Sequence, residues 1–349
     1  MQGIQRCELS GRLVVRNRLC ASCADAERAL AAALASESRI RAALYPSSGL
    51  VEVVRPRPPA PPSMDAGRER VVIAGRYELL NCIGSGGTAT VHRALDLAQG
   101  REVAVKVLRQ ALCDDELAAS RFLHEACSAK RLRHRNIVRT FGHGVSNGVH
   151  YIAMEYVSGR LLSSIVATEA PLEPRRAMEI VLQVLEAARF IHAHDIVHRD
   201  LKSANVIVDP TGHIKVSDFG IARSRGRRIT SAGTLVGTIE YLSPERVLGE
   251  AATEASDIYS IGVMLYELVT GRLPFEGDLV STLALKHVHE CPAPPRTVNA
   301  AISASLSATV MRALEKAPRA RFPDAGAFID ALQHELVRGA ERLPLAATA

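Results

Sequence analysis

The sequence predicts an α+β protein of two lobes, the first small and β-rich and the second larger and helical, preceded by a small N-terminal α/β segment. Three observations carry this. Short β-branched runs dominate residues 77–157, helical periodicity takes over beyond Pro174, and a proline run at 55–62 separates both from what precedes them. Apolar residues make up 47% of the 349 and charged ones 23%, which excludes a disordered or collagen-like chain. No stretch reaches the ~18 uninterrupted apolar residues of a membrane-spanning helix. Arg6, Glu8, Arg12 and Arg16 stand where a secretory signal would need an apolar core. Seven cysteines, odd in number, do not make a disulfide framework. A reducing, cytoplasmic setting is therefore expected.

In residues 1–54, Leu13 and Val15 alternate with polar neighbours as in a strand, and Ala26, Leu30 and Leu34 form a helical stripe. Two further alternating runs follow, with Ile40, Ala42 and Leu44 and then Val51 and Val53. The linker, 55–75, opens with Arg55-Pro56-Arg57-Pro58-Pro59-Ala60-Pro61-Pro62, which favours extended backbone and cannot continue a helix. The main unit should run from 76 to 335. Strands are expected at 77–83, 91–95, 102–107 and 151–154, with one helix near 118–132. Ile180, Val184, Ala188 and Ile191 then share a helical face. Further helices are expected at 256–270, stopped by Gly271 and Pro274, at 303–314 and at 325–337. Residues 336–349 would be a tail. Most of the net charge of +6 falls in the first 70 residues, where eleven arginines face seven acids. The rest is nearly balanced and aromatics are 4%, so a nucleic-acid partner is not expected.

The chemistry lies in four motifs. Gly84-Ser85-Gly86-Gly87-Thr88-Ala89-Thr90-Val91 lies between two strand-like runs, where glycines let backbone N–H groups approach phosphate oxygens. Alone it is a weak signal, since most such glycine-rich turns are structural. Lys106 ends a Val-Ala-Val-Lys strand, and Glu125 on the next helix is the anionic partner such a lysine needs. His198-Arg199-Asp200-Leu201-Lys202-Ser203-Ala204-Asn205 follows, and then Ser217-Asp218-Phe219-Gly220. A carboxylate to accept a hydroxyl proton, with an amide and a second carboxylate for a divalent cation, is what in-line phosphoryl transfer requires.

Taken together these motifs resemble the eukaryotic-like (Hanks-type) protein serine/threonine kinases of bacteria, over about residues 76–335. Gly237-Thr238-Ile239-Glu240-Tyr241-Leu242-Ser243-Pro244-Glu245, Asp257 and Gly262 extend the likeness, as does Arg321, placed to pair with Glu245. Tyr259 stands where many eukaryotic members carry Trp. The resemblance implies a two-lobed kinase fold, ATP with Mg²⁺ (Mn²⁺ as an alternative), and protein substrates that present Ser or Thr. It implies Asp200 as catalytic base, Lys202 at the γ-phosphate with Thr238 beside it, and Lys106 paired with Glu125 on the α- and β-phosphates. Asn205 and Asp218 would hold the metal. Ile83, Val91 and Ala104 would enclose the adenine, with Met154 as gatekeeper and Glu155 and Val157 as hinge, while Gly84, Ser85, Gly86 and Gly87 cover the phosphates. Thr234 is the expected activating phosphosite, with Thr230 and Ser231 secondary and Arg199 to bind the phosphate. Autophosphorylation in trans is compatible with a homodimer. Departures are Ala89 in place of the third glycine and the extra Gly87. The rivals are a small-molecule phosphotransferase, which would lack the segment 237–245, and a scaffold that binds nucleotide without turnover.

One motif falls outside this likeness. Cys20-Ala21-Ser22-Cys23 precedes the first helical stripe and resembles the loop of a heavy-metal-associated domain, where two soft sulfurs suit Cu(I) or Zn²⁺. That family's second helix and fourth strand are replaced here by the proline run. Met64 also reads as an alternative start, which leaves residues 1–63 as an inert leader in the rival reading. Cys82, Cys113, Cys127 and Cys291 are expected to be buried thiols, and the histidines show no metal-site spacing.

Overall fold

The β-branched runs close into strands largely in chain order. This computed structural model describes residues 4–6, 13–15, 70–113, 115–218 and 239–341. Near the start β1 (Ile4–Arg6) pairs antiparallel with β2 (Leu13–Val15), so the alternation at Leu13 and Val15 does form a strand. Its partner precedes it. Cys20, Cys23 and the proline run lie outside the described residues, as do Thr230, Ser231, Thr234 and Thr238.

The first lobe is a six-stranded antiparallel sheet. It contains β3 (Val72–Ile73), β4 (Tyr77–Ser85), β5 (Ala89–Asp96), β6 (Arg101–Leu108), β7 (Thr140–Ser146) and β8 (Val149–Glu155), in the order β3-β4-β5-β6-β8-β7. The β4–β5 hairpin is anchored at its open end by Arg76, whose guanidinium grips both oxygens of buried Asp96 at 2.8 Å. Two register shifts in β4, at 79/81 and 82/84, bend the strand just before the glycine-rich turn. Helix α1 (Glu116–Ala129) lays Phe122 and Ala126 against Ile152 of β8.

The second lobe begins with β9 (Arg160–Leu161), α2 (Leu162–Glu169) and α3 (Pro174–His192), the last capped by the Glu173 carboxylate on the Arg175 and Arg176 amides. Ile180, Val184, Ala188 and Ile191 are all buried, as their spacing predicts. The hairpin β10 (Val206–Val208) and β11 (Ile214–Val216) joins β9 in a small sheet. Then come α4 (Pro244–Val247), α5 (Glu254–Thr270), α6 (Val280–His289), α7 (Pro295–Val298), α8 (Ala304–Ala313) and α9 (Ala325–Glu341). Helix α5 is buried on nearly every side, from Ile258 to Val269, and is the post of this lobe.

Some expectations need correction. The first lobe's sheet takes in Val72–Ile73, just ahead of 76, and α9 runs on to Glu341. The thiols of Cys82, Cys127 and Cys291 are exposed and that of Cys113 is half-buried, so none is a core thiol. Cys82 lies on the bulged stretch of β4, and Cys127 stays accessible beside the buried Ala126 on α1.

Candidate active site

Four elements converge on one cleft. The ladder pairs Val91 with Lys106, Ala104 with Met154 and Lys106 with Ile152, so Val91, Ala104, Lys106 and Met154 share a single face of the first sheet. The opposite face carries Val103, Val105 and Ala153 in a separate core. Lys106 is nearly buried, and its ammonium lies 2.7 Å from Oδ1 of Asp218 across the two lobes. The site's first contact therefore bridges β6 and the end of β11. Glu125 falls on α1, but its side chain lies outside the described set.

The loop before β10 carries Asp200, and helix α5 holds it in place. Asp257 accepts the backbone N–H of His198 at 2.8 Å and of Arg199 at 2.9 Å, and it pairs with Nε2 of His192 at 2.9 Å. Arg199 takes φ 70°, a left-handed conformation costly for a residue with a Cβ. Asp218 shares this feature at φ 57°. Such strain persists only where the surroundings fix it, and here it turns two carboxylates toward one cleft.

Within the loop, Lys202 Nζ lies 3.0 Å from Oδ2 of Asp200. Asn205 donates its amide nitrogen to the Asp200 carbonyl at 2.8 Å and to Oδ2 at 3.3 Å, which leaves its oxygen as the atom with lone pairs for a cation. His198 ties this loop to the next. Burial pushes its imidazole below the ordinary histidine range, so the ring is neutral. Its Nε2–H then donates to the Ser217 carbonyl at 3.2 Å, while Nδ1 accepts from the Asp200 amide at 3.4 Å. Desolvation pushes the Asp218 carboxyl up, but the charge and hydrogen bond of Lys106 outweigh it and hold the group below the usual range.

The glycine-rich turn lies between β4 and β5. A Cβ at Gly87 would meet nothing within 4 Å, and at Gly86 it would make only an ordinary 3.6 Å contact with the Ala89 carbonyl. Protein packing does not demand glycine there, which fits a cradle left open for phosphate oxygens. Arg109 braces the turn, with Nε on the Gly86 carbonyl at 2.8 Å and Nη2 on Ser85 Oγ at 2.9 Å. Ile83 stays 44% exposed on β4. At the other end of the cleft the Glu155 carboxylate takes the Lys215 ammonium at 2.9 Å and the Arg139 amide at 3.2 Å, and Val157 lies half-buried beyond it. The roles of Arg109 and Lys215 were missed from the sequence, where each reads as one more surface cation.

Residues 77–337 match the family described as Protein kinase domain. The chain belongs to the protein kinase family. It is 44% identical over 260 residues to the serine/threonine-protein kinase PknB of Mycolicibacterium smegmatis, covering 72% of this chain and 42% of that protein. It is 41% identical over 255 residues to PrkC of Bacillus subtilis, covering 72% and 39%. The chain thus spans about two fifths of the length of these curated relatives. Among solved structures, the Mycobacterium tuberculosis PknI kinase domain aligns at TM-score 0.62 and 26% identity, over 77% of this chain and all of that one. The fold is the two-lobed kinase fold, and the family uses ATP with a divalent metal.

Proposed function

We propose that this kinase transfers the γ-phosphoryl group of ATP to Ser and Thr hydroxyls of proteins, its own activation segment included, in bacterial signalling. The observation that supports this reading is the meeting of Lys106, Asp200, Lys202, Asn205 and Asp218 in one cleft, drawn from both lobes. Asp200 would accept the substrate hydroxyl proton, held in place by Asn205 and Lys202. Lys202 also offers positive charge where the transferring group passes, and Lys106 offers it to the phosphates behind. Asn205 and Asp218 supply the amide and carboxylate oxygens suited to a hard divalent cation, Mg²⁺ ahead of Mn²⁺. That cation, when bound, neutralises phosphate charge. Val91, Ala104 and Met154 line the sheet face that would take the adenine. A domain that consumes ATP works where ATP is held, on the cytoplasmic side. Among the described residues no helix is long and apolar enough to cross a membrane.

Autophosphorylation of the purified chain with ATP and Mg²⁺, beside Asp200→Asn and Lys106→Met, tests this. Each variant should lose at least about 10²-fold in rate. Mapping the label should place it on Thr234 first, with Thr230 and Ser231 behind. Equal label in all three proteins would overturn the assignment.

A further inference from the structure

Cys127 lies on α1 one position after Ala126, the residue that seats this helix against β8. Its sulfur is 3.5 Å from Nε2 of His143 on β7. His143 pairs in register with Ile152, which belongs to the same apolar cluster as Phe122 and Ala126. The thiol–imidazole pair therefore spans the seam between α1 and the sheet.

Two other thiols of this lobe are held differently. Cys82 donates to the Gly84 carbonyl at 3.3 Å, and Cys113 to the Arg109 carbonyl at 3.5 Å. A carbonyl accepts a hydrogen bond but is no base to take the proton. An imidazole nitrogen can take it and leave a thiolate, the nucleophilic form. Cys127 is also exposed, so a small reagent reaches it from solvent.

We propose that Cys127 is a modification site, a thiol activated by His143 that reacts with hydroperoxides. His143 takes the thiol proton, and the sulfur attacks one peroxide oxygen. The S–O bond forms as the O–O bond breaks, sulfur is oxidised by two electrons and the peroxide is reduced. The departing hydroxide recovers the proton from His143 and leaves as water, so Cys-SH and HOOH become Cys-SOH and H₂O. The added oxygen falls at the seam, on the helix that carries Glu125.

The test treats the reduced full chain with limiting hydrogen peroxide, traps sulfenic acid with dimedone, and follows each cysteine by peptide mapping. Cys127 should label at least about tenfold faster than Cys82, its exposed neighbour in the same lobe. In His143→Gln, whose amide can hydrogen-bond but cannot take the proton, the Cys127 rate should fall to that of Cys82. Equal rates at Cys127 and Cys82 in the unaltered chain would overturn the proposal without any variant. An undiminished Cys127 rate in His143→Gln would overturn it equally.

Discussion

Both carboxylate oxygens of Asp257 are committed to the loop that carries Asp200, through the His198 and Arg199 amides. An amide at this position keeps one acceptor and turns an N–H toward the second backbone N–H. Leaving that donor unsatisfied costs about 1–3 kcal/mol, and the left-handed turn at Arg199 loses its restraint. Asp257→Asn should therefore lower kcat while the KM for ATP stays close to wild type, since Lys106 and the glycine-rich turn lie in the other lobe. Steady-state kinetics at varied ATP checks this, and a raised KM with unchanged kcat would contradict it. The sequence made Lys106, Asp200, Asn205 and Asp218 legible because phosphoryl transfer needs those groups at short, fixed spacings. The clamp at Asp257 was not legible, because it holds backbone N–H groups 58 and 59 residues away. Arg109 escaped for the same reason, acting on Ser85 and Gly86 from 24 and 23 residues off.

Helices with a clean apolar stripe could be read from the sequence, as Ile180, Val184, Ala188 and Ile191 of α3 show. Helix α6 could not, since Val280, Thr282 and Val288 are β-branched and disfavour helix on their own. Burial of Leu283, Ala284 and Val288 against Phe275 decides it instead. Strand β7 was missed because Gly142 and Gly144 interrupt its pattern, while its pairing with β8 supplies what the residues lack. Close approach is equally invisible in a stripe. A Cβ on Gly262 of α5 would stand 2.7 Å from the Ala313 Cβ of α8, and 3.3 Å from the Ala313 carbonyl carbon. Neither helix can retreat easily, because α5 is packed on its other faces as well. Gly262→Ala should destabilise the protein by about 1–3 kcal/mol, and Ala313→Gly in the same chain should recover part of that loss. Urea melts of the single and double variants decide it, and an unchanged midpoint for Gly262→Ala would refute the close-packing argument.

The second lobe as a whole is tied together by a buried polar network around α5. Arg321, fully buried, places Nη1 and Nη2 on the Glu245 carboxylate at 2.9 and 2.7 Å. Its remaining donors go to the Ala255, Glu315 and Lys316 carbonyls. Glu245 stands at the start of α4, just after the described stretch that begins at Ile239, so this pair fixes that stretch to the lobe's base. Burial pushes the Glu245 carboxyl up, but Arg321, with Ser256, holds it below the usual range. Its contribution is complete above about pH 4.5 and is lost only as pH falls through the lowered value. Arg321→Met leaves the carboxylate buried without its partner and should cost about 3–5 kcal/mol. Acid reaches the network earlier at His287, whose Nδ1 accepts from the Tyr259 hydroxyl at 2.9 Å. Burial first, and then the Lys316 ammonium, push this imidazole down to about 3. In the unfolded chain the ring takes a proton below pH ~6.5, which the folded chain refuses until far lower pH. Stability should therefore begin to fall below pH ~6.5, well before Glu245 protonates. His287→Gln keeps an acceptor for Tyr259 but has no proton to gain. Between pH 6.5 and 5 wild type should lose about 1–2 kcal/mol more than this variant in urea melts. Parallel losses in the two proteins would place the acid sensitivity elsewhere.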